Sequence, residues 1–152
     1  MTVMPILNGG LMLIPESDKD WHVLGCLAAD ADCDLAMRLG SLMDEESMWD
    51  DIVIPDLESH FSAQLTTVLK AIKAAQPKDQ AEAEIEITKD TAEDWYGALN
   101  QARLGLEKTY HFGQEGELDS SDLTNPESRN AYLRSRFYSS LQGLLLEYVM
   151  TE

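Results

Sequence analysis

Apolar and polar positions in this chain follow two different periods. Val3 to Leu7 and Leu11 to Ile14 are apolar runs parted by Asn8-Gly9-Gly10. Asn-Gly is a strong turn signal, because both central positions of a tight hairpin turn must tolerate positive φ. The N-terminus therefore reads as a β-hairpin. Much later, Ile85 and Ile87 alternate with Glu84 and Glu86, the period of a half-buried strand. An isolated hairpin is marginal in water, and this segment is its natural third strand, giving a small antiparallel sheet.

Helical spacing governs the rest. Ser17 or Glu16 begins a first helix with Trp21, Leu24, Leu27 and Ala28 on its buried side, weakened slightly by Gly25. A short second helix runs from about Asp34 to Met43, with Leu35, Leu39, Leu42 and Met43 inward, and Asp44-Glu45-Glu46 closes it. A third starts near Pro55, a residue tolerated in a first turn. It carries Leu57, Phe61, Leu65, Val68, Leu69 and Ile72, with Lys70 and Lys73 suited to its negative end, and Ala-Ala-Gln-Pro at 74–77 stops it. A fourth is capped by Asp90 or Thr91, with Glu93 and Asp94 in the first turn, where the helix dipole is positive. Its apolar face is Trp95, Ala98, Leu99, Ala102, Leu106 and Tyr110. The polar, glycine-bearing segment 113–125 reads as a loop.

Asn125-Pro126 then caps a last helix with a wide apolar arc: Tyr132, Phe137, Tyr138, Leu141, Leu144, Leu145, Tyr148 and Val149. A wide arc marks either a central helix or one that also meets another chain, and the central position is the expectation. The predicted fold class is mainly α (α+β). It is a compact bundle of about five helices with an N-terminal β-hairpin and a short third strand.

Size changes this picture little: 152 residues suffice for one domain with its own core and are short for two, so residues 1–152 read as a single domain. Charge changes it more. The formal net charge is −17, and a surface so acidic repels phosphate backbones and anionic membranes while suiting cationic partners or divalent ions. Nucleic acid and membrane are therefore not expected as partners. No stretch approaches the roughly 20 apolar residues that span a bilayer. The start, MTVMPILNGGLMLIP, has no basic region and no clear cleavage site. A cytoplasmic location follows. Cys26 and Cys33 make no disulfide framework and read as free thiols.

The fourth helix carries the candidate site. Asn100, Arg103 and Glu107 lie along one flank of its apolar face, and Arg103 is the nearest of them to the stripe. Such a strip commonly orients helices, with the arginine stem packed on apolar neighbours and its head on a carboxylate or carbonyl. The functional alternative is a small anion or ligand site, with Asn100 orienting the ligand, Arg103 neutralising it and Glu107 or Tyr96 tuning it.

The run TAEDWYGALNQARLGL resembles the signature helix of the bacterial DUF2017 family, W-x-x-A-L-N-D-x-R-L-x-L-G, through Trp95, Ala98, Leu99, Asn100, Arg103, Leu104 and Leu106. It departs at Gln101, where an acid is usual, and at Glu107, where glycine is usual. Asp34, Ala36, Arg38 and Leu39 resemble the family's D-P-A-x-x-R-L element. The family's next helix tends to carry a Phe-Arg pair, whereas here Phe61 precedes Ser62, so no role for that arginine carries over. The family has no assigned activity. Some members are encoded beside the adaptor of the Clp protease, and the resemblance thus implies a link to regulated proteolysis.

Recognised chemistry is sparse. Asp30, Asp32 and Asp34 open like an EF-hand loop, but Leu35 replaces the turn glycine and Ser41 the closing glutamate. None of His22, His60 or His111 has a carboxylate three residues earlier, as a di-iron bundle requires. Each has an acid four residues earlier (Asp18, Asp56 and Glu107), which suits surface pairing, and His22 with Cys26 and Cys33 lacks a fourth zinc ligand. No P-loop, Rossmann or nucleophile-elbow pattern is present. No cofactor, metal or catalytic residue is expected. The leading expectation is a non-enzymatic interaction or regulatory protein with a protein partner. The alternative is a small-molecule or metal-binding protein, or an enzyme, built on the polar site around Arg103. A winged-helix DNA-binding protein ranks last, because basic residues are too sparse before Lys70 to line a recognition helix.

Overall fold

Strands β1 (Thr2–Pro5), β2 (Leu11–Ile14) and β3 (Ile85–Ile87) form an antiparallel sheet in the order β1-β2-β3, with Pro5 opposite Leu11 and Met12 opposite Glu86. This is a computed structural model, and it describes residues 1–31, 35–36, 49–75, 83–110, 112 and 125–151. Alternation sets the faces: Leu11, Leu13, Ile85 and Ile87 are buried while Glu86 points out. The predicted strand order holds, but the turn differs. β1 ends at Pro5 and not at Leu7, which is fully exposed. Gly9 N–H donates to the Ile6 carbonyl and Ile6 N–H to the Gly10 carbonyl, so Leu7, Asn8 and Gly9 make a three-residue loop. Gly9 takes the left-handed position (φ 88°), as in a turn followed by a glycine bulge, and Asn8 Oδ1 caps Gly10 N–H at 3.1 Å.

Ser17 caps α1 (Asp18–Gly25) by accepting from Asp20 N–H. The predicted first helix is in fact broken: α2 (Leu27–Asp30) starts anew after Cys26. Leu24 and Leu27 are buried as expected, Trp21 is half-buried, and Ala28 is exposed because the break turns it outward. Of the expected helix 34–43, only Leu35 and Ala36 fall within the described residues, and both are buried.

Helix α3 (Trp49–Ala75) corrects the expected start at Pro55: the helix begins six residues earlier and holds the proline inside. The missing proline N–H forgoes a single hydrogen bond, which a helix of 27 residues tolerates. Val68 and Ile72 are buried, while Leu57, Phe61, Leu65 and Leu69 are only half-buried.

Helix α4 (Ala92–Tyr110) follows β3 through a turn in which Thr88 N–H donates to Thr91 Oγ1 and Thr91 N–H to Thr88 Oγ1. Trp95, Ala98, Leu99, Ala102 and Leu106 are all sealed, as their spacing predicts. Helix α5 (Pro126–Tyr148) starts at Asn125, whose Oδ1 accepts from Glu127 N–H at 3.0 Å. α4 packs against α5, α3 and α2, so the Trp95 helix, and not the last one, is central. α5 is a flanking helix. It buries Ala131, Tyr138, Leu141 and Leu145 but leaves Leu133, Leu146 and Tyr148 exposed.

Two polar contacts lock the helices. Gln101, 2% exposed, donates to the Phe61 carbonyl at 3.1 Å and to Gln64 Oε1 at 3.3 Å, tying α4 to α3. The Gln64 amide lies over Gly97, where a Cβ would collide with it. On the other side, Arg134 grips Asp30 with Nε (2.7 Å) and Nη2 (3.0 Å), and Tyr138 donates to the same carboxylate at 2.7 Å, tying α5 to α2.

Candidate functional site

The polar flank of α4 meets α5 at an open concavity of about 270 Å³ lined by Arg103, Glu107, Phe112, Tyr132, Ser135, Arg136 and Ser139. Helical spacing builds it. Arg103 and Glu107 are one turn apart on α4, and Ser135 and Ser139 are one turn apart on α5. An aromatic wall closes one end, where Phe112 stacks on Tyr110 (centroids 5.7 Å apart) and meets Tyr132 edge-on at 5.6 Å.

Arg103 is half-buried, and its Nη1 donates to Gln142 Oε1, while Gln142 Nε2 donates to the Tyr96 carbonyl at 3.1 Å. Gln142 is 3% exposed, and with both amide ends bonded it holds the guanidinium in place from below. Of the residues expected at the site, Arg103 and Glu107 thus share the concavity. Tyr96 supports Arg103 indirectly, through its backbone and Gln142. Asn100 is half-buried on α4 and does not line the cavity.

Arg136, Ser135, Ser139 and Tyr132 were not anticipated as site residues. The signal available was the i, i+4 pair Ser135 and Ser139 beside an arginine, in a chain with few basic groups. Among the described residues, Arg136 has no hydrogen-bond or ion-pair partner, and neither serine hydroxyl is bonded. Arg103 and Glu107 form no ion pair with each other. The concavity therefore carries an excess of unused donors, with one exposed carboxylate at its edge.

Metal chemistry finds no such concentration. Among the described residues no three metal-capable side chains gather. His22 Nε2 lies 3.5 Å from Cys26 Sγ, and His60 Nε2 lies 3.2 Å from Gln64 Nε2. His111 and Cys33 lie outside the described residues, as do Asp32 and Asp34 of the EF-hand-like run. Asp30, the first acid of that run, has both oxygens on Arg134. No described helix is long and apolar enough to cross a membrane.

The Asp30, Arg134 and Tyr138 cluster is the second polar centre. Burial first, and then the Asp30 carboxylate, push the Tyr138 hydroxyl far above the usual phenol range. The hydrogen bond to Asp30 likewise holds the Arg134 guanidinium more firmly protonated than usual, against the opposing effect of burial. With its charges matched and Tyr138 sealed, the cluster is a clasp and not a place where a ligand enters.

The model of the family described as a domain of unknown function, DUF2017, matches residues 26–149, which takes in both polar centres and every helix from α2 onward. No curated protein and no solved structure matches the chain. The departures at Gln101 and Ser62 line one cavity of about 430 Å³. Here neutral groups stand on both sides, and the Gln101 amide bonds the Phe61 carbonyl, which a carboxylate could not do.

Proposed function

The chain belongs to the DUF2017 family, and on that premise we propose that it is a non-enzymatic interaction or regulatory protein that docks a protein partner along the outer side of α5. The support is one stripe of that helix. Leu133 and Tyr148 are 57% and 46% exposed, and Phe137 and Leu144 lie half-buried between them at helical spacing. With α4 at the centre of the bundle, the wide apolar arc of α5 exceeds what the core covers. Beside the stripe runs a groove of about 270 Å³ lined by Met1, Val3, Asp20, Val23, Phe137 and Leu144, among others. An apolar stripe on a molecule of net charge −17 fits a partner segment that is apolar on one face and basic at its flanks. A second copy of this chain fits less well, because two bodies of charge −17 repel.

The family's link to the Clp adaptor makes a component of regulated proteolysis the first partner to try, in the bacterial cytoplasm. Purified Clp components should be retained at physiological salt by the wild-type protein and lost with Leu133→Glu combined with Tyr148→Glu, both surface positions. Equal retention on a charge-matched control protein, or retention unchanged by the double substitution, would count against the proposal.

A second reading, a small-molecule-binding protein built around Arg103, is favoured by the open, donor-rich concavity between α4 and α5.

A further inference from the structure

We infer that the concavity between α4 and α5 is a binding site for the phosphate group of a small phosphorylated molecule, held by Arg103, Arg136, Ser135 and Ser139. This rests on the second reading above and names its ligand class. The chain has 28 acids against 11 basic residues, so a surface arginine has many carboxylates within reach. Arg134 takes one, in a two-pronged grip on Asp30. Two residues further on, Arg136 has no partner among the described residues. Among the described residues Arg103 makes one hydrogen bond, from Nη1 to Gln142, and its side chain lines the cavity. Ser135 and Ser139 sit beside them with hydroxyls that bond nothing among the described residues, although a helical serine can bond a carbonyl one turn back.

The donors come from two helices, so they converge on the cavity from more than one plane. A carboxylate offers two oxygens in a plane and is satisfied by a single guanidinium fork. A phosphate offers three terminal oxygens in a tetrahedral array and takes donors from several directions. Two guanidiniums and two hydroxyls match the second. The acidity of the whole molecule does not forbid this. An extended polyanion meets the entire negative surface, whereas a single phosphate responds mainly to charges within a screening length of about 8–10 Å. Glu107, at the rim, lies where a ligand's hydroxyl or amino group would sit and disfavours a second negative group there.

The test is a side-chain 15N NMR titration of the full chain with inorganic phosphate, glycerol 3-phosphate and acetate, each at ionic strength matched with sodium chloride. The signals followed are the arginine Nε–H resonances of Arg103 and Arg136. Saturable shifts of both with phosphate and the phosphomonoester are expected. Arg136→Gln and Ser139→Ala, which change partly or fully exposed positions, should each weaken binding by tenfold or more. Acetate saturating as tightly as phosphate would overturn the phosphate assignment while leaving an anion site in place. No saturable shift with any of the three would overturn the second reading as well. Undiminished affinity in Arg136→Gln would remove the site from this concavity.

Discussion

Arg134 and Arg136 lie two residues apart on the same helix and meet opposite surroundings. Arg134 turns to α2, where Asp30 receives it with Nε and Nη2 and where Tyr138 adds a third hydrogen bond to the carboxylate. Arg136 turns to the α4 side and lines an open cavity with no partner among the described residues. The first arrangement fixes α5 against α2. The second leaves charge available to something outside the chain. Identical side chains thus serve closure on one side of the helix and availability on the other, and what separates them is a rotation of two residues around its axis. A buried ion pair is a poor source of net stability, yet losing one partner is harmful, because the other charge is left desolvated. An exposed, unpaired arginine carries no such liability.

This contrast can be broken in a graded way. The largest effect belongs to the core that both sides share. Trp95 is 1% exposed in the first turn of α4, and Trp95→Ala should destabilise by roughly 3–5 kcal/mol in urea unfolding. Asp30→Ala comes next. It strands Arg134 and should destabilise by about 3 kcal/mol, with the midpoint falling and the denaturant slope kept. Tyr138→Phe should cost about 1–2 kcal/mol at neutral pH, because one hydrogen bond to the carboxylate is lost while the arginine grip stays.

The same tyrosine gives a pH signature. Its folded-state pKa lies above the unfolded value, so its contribution is complete below about pH 10 and declines as pH rises from there toward the folded value. Wild type should therefore lose stability faster than Tyr138→Phe between about pH 10 and about pH 11. Parallel pH curves for the two would show that the hydroxyl is not sealed as described. The smallest effect is that of Arg136→Gln, which should leave the unfolding midpoint within about 0.5 kcal/mol of wild type. A loss comparable to that of Asp30→Ala would mean that Arg136 has a structural partner and that the contrast with Arg134 is false.

Local rules made much of the architecture legible. Ile85 and Ile87 announced β3 by alternation, the spacing from Trp95 to Leu106 announced the sealed face of α4, and Asn125-Pro126 marked the start of α5. Where the outcome depended on competition between local and tertiary preferences, the pattern misled. Pro55 is a fair helix starter by propensity, yet the helix runs through it from Trp49. Asn8-Gly9 signals a hairpin in either turn geometry, and only the strand pairing reveals that the loop takes Leu7 as well. The width of the apolar arc on α5 suggested a central position that α4 holds instead.

The candidate site was half legible. Arg103 and Glu107 follow from position on one helix. Arg136 and the serines come from another, and nothing in one-dimensional spacing pairs two helices. The partner of Arg134 lies 104 residues away, and sequence gave no reason to distinguish that arginine from Arg136.

A consequence follows from the bare Cα at Gly97. The Gln64 amide rests where a side chain would otherwise stand, and it reaches Gln101 one turn further along. A long rod such as α3 could slide along its neighbour by a helical turn, about 5.4 Å, with little change in greasy contact. Here the amide acts as a detent in a notch: displaced by one turn it would strike a bulkier residue and lose its bond. The axial setting of the longest rod is thereby indexed by a missing methyl group, so filling the notch with Gly97→Ala would trade one alignment for several.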